Sequence, residues 1–264
     1  MTAYLQIAII HFKKQITYRF DAAIHVLACV CRTLFASIVW SAIYASHQTI
    51  AGLTLADMLG YAVISAALSQ MNPSRGVSEE ISGRVRDGTF SKYMVLPAGV
   101  QGYFLAQSAG TGLFFAIVNG LAALLCLALF GIRLPLTGDA PVFAAAGLMI
   151  VLGMAFMIQL NFFLGLLTFR FQDVWIFLMI KENFMAFLTG ALIPLALLGP
   201  EAESVMRGFP FYYVSYLPAM LLMGKQAEEA LQGLGIISLW FCFFTLLNTW
   251  SYRRVRVLYD GVGI

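Results

Sequence analysis

Residues 100–130 read VQGYFLAQSAGTGLFFAIVNGLAALLCLALF, a stretch without one Asp, Glu, Lys, Arg or His. As a helix it would be about 46 Å long at 1.5 Å per residue. The hydrocarbon core of a bilayer is roughly 30 Å thick, so the stretch can cross it and still tilt or project beyond it. It has no period-2 alternation. Within lipid only a helix or a closed barrel satisfies its own backbone, so it reads as a spanning helix. Five further runs have the same character: Ala22–Ser46, Ile50–Met71, Ala140–Phe169, Val174–Leu198 and Leu231–Trp250. Hydrophobic residues make up 61% of the 264 and charged residues 11%. A soluble domain has about 25% charged residues. There is too little polar surface here to cover a water-soluble core, so the fold class is an all-α membrane protein with six transmembrane helices.

The net charge of +3 is small, and its distribution is more informative. With a cytoplasmic N-terminus, the inner segments carry Lys13, Lys14, Arg19, Arg75, Arg84, Arg86, Lys92, Arg170, Arg253, Arg254 and Arg256. The outer segments carry Arg133, Arg207 and Lys225. This asymmetry places both termini in the cytoplasm. Trp40 and Tyr44 near an outer end, and Trp250 and Tyr252 at an inner end, suit the two interfaces. Cys29, Cys31, Cys126 and Cys242 all fall in apolar runs with no zinc-like spacing, and read as small buried hydrophobes. No cleavable leader is expected.

Three segments lie outside the spans. Residues 1–20 form an interfacial helix: Leu5, Ala8, Ile9, Phe12, Ile16 and Phe20 repeat at helical spacing, with Lys13, Lys14 and Thr17 largely elsewhere. Residues 72–98 form a charged cytoplasmic loop. Val77, Ile81 and Val85 follow one another at four-residue spacing, and Gly88 is suited to end that helix. Thr89 is suited to cap a second short helix bearing Phe90, Tyr93 and Met94, closed by Pro97. The apolar stripe needs something to bury against, either the chain's own membrane end or a soluble partner. Residues 199–232 are too short and too broken by proline to span, and read as an outer re-entrant segment. The whole, 1–264, reads as one transmembrane domain.

Catalytic patterns are lacking. There is no phosphate loop: Gly224-Lys225 runs into Gln226. There is no His-Glu-x-x-His or Gly-x-Ser-x-Gly, and His11, His25 and His47 are scattered. Ionisable residues within spans or at their ends are Asp21, Arg32, Asp57, Asp173, Lys181 and Glu182, which are functional candidates by their cost in lipid. Lys181 has a second reading: it can snorkel to the inner interface or pair with Glu182 or Asp173. The chain is expected to be a transport subunit and not an enzyme, with no catalytic residues and no bound metal or cofactor.

In order and spacing the chain resembles the permease subunit of an ABC transporter of the type-2 exporter class. Glu79-Glu80-Ile81-Ser82-Gly83-Arg84-Val85-Arg86-Asp87-Gly88-Thr89-Phe90, followed by Leu96-Pro97, resembles that family's cytoplasmic loop. Phe169-Arg170-Phe171-Gln172-Asp173-Val174 is similar to the turn before its fifth span. Phe187-Leu188-Thr189-Gly190-Ala191-Leu192-Ile193-Pro194-Leu195, with Phe209-Pro210-Phe211 and Leu217-Pro218, is similar to that span and the re-entrant region after it. The ending Trp250 to Tyr259, with Gly261 after it, is of a kind seen in a branch of viologen and multidrug exporter permeases.

The resemblance implies a division of labour. A second permease, identical or paralogous, forms a dimer with this one in the bacterial inner membrane, among lipids and with no role for nucleic acid. Separate ABC ATPase subunits hold ATP and Mg. The ATPase-coupling residues would be Glu79, Glu80, Ile81, Arg84, Val85, Arg86, Asp87, Gly88 and Phe90, with Ile81, Val85 and Phe90 as apolar anchors for the partner. The translocation path would include Tyr61, Ser65, Ser69, Met71, Phe184, Phe187 and Thr189. The implied cargo is an amphiphilic small molecule, drug or viologen-like. Lipid, glycan and peptide export stay open beside it, as does a membrane subunit of a lipid-modifying enzyme.

Overall fold

The computed structural model describes residues 2–259 except 18, 97–98, 133, 135, 172–173 and 191–193, and leaves the side chains at 2, 19, 21, 186, 187 and 196 undescribed. Pro97, Arg133, Gln172, Asp173, residues 191–193 and Gly261, and the side chains of Arg19, Asp21 and Phe187, therefore lie outside the described residues. Eleven α-helices are described: α1 (Thr2–Thr17), α2 (Arg19–Ile43), α3 (Leu55–Gln70), α4 (Ser74–Arg86), α5 (Ser91–Met94), α6 (Val100–Phe130), α7 (Ala140–Leu166), α8 (Trp175–Leu188), α9 (Pro200–Met206), α10 (Tyr216–Leu222) and α11 (Ala230–Val255). Four stretches are long and apolar enough to cross a membrane: Ala22–Ile43, Val100–Phe130, Ala140–Phe169 and Ala227–Leu258. Their flanks stay largely unburied by the rest of the chain, as lipid-facing helices do.

The other two expected spans are shorter as helices than their apolar runs. Ile50–Leu53 closes on itself by a pair of 3.0 Å backbone hydrogen bonds, and α3 starts only after Thr54. Thr54 and Asp57 form a reciprocal capping box there. Lys225 Nζ adds a 2.7 Å ion pair to the same Asp57 carboxylate. Asp57→Ala removes cap and ion pair together and should cost about 1–2 kcal/mol. Lys225→Met should cost under about 1 kcal/mol. Thermal unfolding of the two purified variants checks the ranking. At the other short helix, α8 ends at Leu188. Gly190 takes φ +68°, and its carbonyl accepts a 2.6 Å hydrogen bond from the Tyr61 hydroxyl. A Cβ on Gly190 would sit 2.8 Å from that hydroxyl, so glycine is required both for the turn and for the close approach.

The core is in two main parts. One occupies the end where α3 begins. There Tyr212, Tyr213, Tyr216, Leu217 and Leu221, from the segment 199–232, are buried among α3, α7 and α11. The stretch from Pro210 to Leu221 is thus packed inside the bundle, while α9 has no buried residue and stays at the surface. The other part lies where α4 meets α6 and α7, with Ile81, Phe104, Phe162 and Leu166 at its centre. Between them a polar network joins three long helices. Gln159 Oε1 accepts 2.8 Å hydrogen bonds from Gln101 and Asn248, and Gln159 Nε2 reaches Thr245 at 3.2 Å. Buried amides of this kind hold helices together where apolar association has no driving force.

α1 meets α6 at glycines. The Tyr4 hydroxyl accepts from Gly99 N at 3.1 Å, and its ring would lie 2.8 Å from a Cβ on Gly102. Leu5 and Ile10 remain exposed on the other side. The helix therefore has two apolar faces, one for α6 and one suited to an interface.

Candidate coupling loop and transport cavity

The charged segment from α4 to α5 is built as a clasp. α4 ends in a left-handed turn: Gly88 has φ +69°, Gly88 N donates to Val85 O (3.2 Å), and Thr89 N donates to Arg84 O (2.9 Å). That pattern terminates the helix as the glycine's position suggested. Thr89 does not cap α5. The residue at that cap is Phe90, and the free N–H groups of Phe90 and Ser91 both donate to the Tyr259 hydroxyl, at 2.9 and 3.3 Å. The far end of the chain thus satisfies the loop.

Val77, Ile81, Val85 and Phe90 are buried against α6, α7 and the turn at Phe169. Of the two possible coverings for the apolar stripe, the chain's own helices supply it. Ile81, Val85 and Phe90 are therefore unavailable as anchors for another protein's surface, because their area is already spent on α7 and its neighbours. Glu80 also turns inward. Its carboxylate accepts from the Tyr93 hydroxyl and, at 2.8 Å, from Gln107 Nε2. Burial pushes its pKa up, but these two hydrogen bonds, with Lys92 and Arg84 nearby, outweigh it and hold the carboxyl below its ordinary value. A depressed folded value stabilises the loop above the unfolded pKa, and that stabilisation is lost as pH falls through the folded value. Glu80→Gln should therefore shrink the acid limb of the thermal-stability profile below the ordinary glutamate range. An unchanged limb contradicts this. On the outward side, Glu79, Arg86 and Asp87 are exposed, Glu79 pairing with Arg75 at 2.8 Å, and Arg84 is half-buried.

A cavity of about 900 Å³ opens between α2, α3, α7 and α8. Tyr61, Ser65, Ser69 and Thr189 line it. Met71 forms the C-cap of α3. Phe184, 61% exposed, is not among the lining residues. The end of the cavity where α3 runs into α4 is polar: Arg32 Nη1 donates to Ser69 Oγ at 3.1 Å, and Gln70, Ser74 and Arg75 lie beside it. The opposite end is more apolar and is completed by Pro194, beyond α8, and Val214, before α10. Three residues, Met71–Pro73, separate α3 on the cavity wall from α4 in the clasp.

The family model described as ABC-2 family transporter protein matches residues 30–263. The chain belongs to that family. No curated protein matches it. As an ABC-2 permease it is a multi-pass membrane protein of transport, and family membership implies association with an ABC ATPase.

The permease's polar hub was only partly visible in the sequence. Arg32 and Lys181 stand out there as charges within apolar runs. Asn161, which touches Ser74, Ser78 and Lys181, does not, because its partners are 20 to 87 residues away along the chain.

Proposed function

We propose that the chain is the membrane-spanning subunit of an ATP-driven exporter, moving amphiphilic molecules out of the cytoplasm together with a separate ATPase. The observation that carries this reading is the clasp: one side of α4 is locked into α7, and the other presents Glu79, Arg86 and Asp87 to solvent. A force applied to the charged side passes through Ile81 to α7 and through Met71–Pro73 to α3, and both helices wall the cavity. ATP and Mg act on the partner. A second permease completes the cavity on the side where α2 and α8 leave it open. In the bacterial inner membrane, α3 and α8 act as the second and fifth of six spans. Both termini are cytoplasmic. Glu79, Arg86 and Asp87 form the docking surface, Glu80, Arg84 and Gly88 shape it, and Ile81, Val85 and Phe90 transmit its movement.

Purification from the native host in mild detergent tests this reading. A phosphate-loop ATPase should come down with the chain in comparable amount and hydrolyse ATP in the complex. A chain that never retains such an ATPase overturns it.

A further inference from the structure

Of the four charged side chains lining the cavity, three are cations: Arg32, Arg75 and Lys181, against Glu182. Arg75 is paired with Glu79 at 2.8 Å and Lys181 with Glu182 at 2.5 Å. Arg32 has no carboxylate within ion-pair distance among the described residues. Among the described residues its hydrogen bond goes to the neutral Ser69 hydroxyl. A guanidinium carries five N–H donors in a planar fork suited to phosphate or carboxylate. Lys181 is placed with equal care. Its amine donates to Asn161 Oδ1 at 2.9 Å, while Ser78 shares that oxygen and Asn161 Nδ2 is held by Ser74 at 2.9 Å. The Lys181 side chain is only 10% exposed. Beyond these cations the wall becomes apolar and adaptable, with Phe35, Val39, Trp40, Met154, Met157 and Met185.

We propose that the cavity binds an amphiphile with an anionic head group, phosphate or carboxylate, held by Arg32 and Lys181, its apolar tail lying along the Trp40 and methionine wall. This rests on the exporter reading and names its cargo class. A viologen-like dication would meet like charge where the head group sits. The two cations lie at the polar end, beside the start of α4, and the tail points toward the outer segment.

Trp40 supplies the readout, since the other three tryptophans do not line the cavity. The full chain, with Trp175, Trp240 and Trp250 replaced by Phe, is placed in phosphatidylcholine nanodiscs. It is titrated with dodecyl phosphate or dodecyltrimethylammonium, each brominated on the tail to quench tryptophan. The phosphate should quench Trp40 at least tenfold more tightly than the ammonium. Arg32→Gln and Lys181→Gln should each weaken it at least tenfold, and Arg32→Lys and Lys181→Arg should recover most of the loss. An ammonium that binds as well as the phosphate overturns the proposal. So do glutamine variants that bind like the parent, the result expected if Arg32 merely faces bulk lipid, and lysine and arginine variants that recover nothing. Inorganic phosphate competing as strongly as the amphiphile also overturns it, in favour of a free-anion site. ATP hydrolysis by the complex is scored separately. Anion preference without any ATPase sinks the exporter reading alone, and cation preference in a hydrolysing complex sinks this inference alone.

Discussion

Gly165→Leu should abolish cargo-stimulated ATP hydrolysis in the complex, by more than tenfold, while the chain still inserts into the membrane. Gly165 lies at the end of α7, directly under the clasp. A Cβ there would fall 2.9 Å from Ile81 Cβ and 3.1 Å from its Cγ2 and Cδ1. Ile81 is fully buried and β-branched, so its Cβ cannot swing aside without α4 moving. Overpacking of this kind typically costs about 1–3 kcal/mol. In a long apolar bundle that is too little to unfold the chain, but it is enough to lift α4 from the surface that transmits its motion. The double variant Gly165→Ala with Ile81→Ala should recover part of the coupling, because the two side chains compete for one space. Hydrolysis measured with both variants in proteoliposomes decides the point. If Gly165→Leu turns over normally, α4 does not transmit force through α7.

Gly110→Val should release α1 from α6. A Cβ on Gly110 would lie 2.0 Å from the Ala8 carbonyl oxygen, a backbone atom with no freedom to rotate away. The neighbouring contacts at Gly99 and Gly102 depend on Tyr4 and would be lost with it. Ala8→Cys reports the event: labelling by a membrane-impermeant maleimide should rise at least fivefold when Gly110→Val is added. A labelling rate that does not change means α1 is held elsewhere. The expected stability loss is again about 1–3 kcal/mol. It should be local, since α1 contributes to neither main core cluster.

The long apolar stretches were legible in the sequence, because twenty or more residues without charge admit few alternatives to a spanning helix. α6 has the limits of its apolar run, and α7 with the turn after it covers another. The boundaries of α3 and α8 were not legible. The Ile50–Leu53 turn is as apolar as a helix, and the end of α8 depends on a hydrogen bond between residues 61 and 190, which local pattern does not show. The clasp was half legible. Its four-residue stripe and its terminal glycine follow from periodicity. The side that covers the stripe depends on α7, and the cap on α5 comes from Tyr259, 169 residues away. For the same reason, reversing charge at Glu80 and Arg84 is a poor test of docking. Glu80 is tied inward, so its reversal would break the clasp before it reached any partner. The exposed Arg86 and Asp87 are the residues to change.

The docking of an ATPase on the clasp is tested most directly by site-specific photocross-linking. Benzoylphenylalanine is placed at Asp87 in the complex, with Leu239, exposed on α11, as the lipid-facing control. The prediction is a cross-link from position 87, and none from 239, to a protein that mass spectrometry identifies by its phosphate loop. Reversal of both Arg86 and Asp87 should suppress hydrolysis in parallel. A complex that hydrolyses ATP yet gives no ATPase cross-link at position 87, and tolerates the double reversal, would contradict the account.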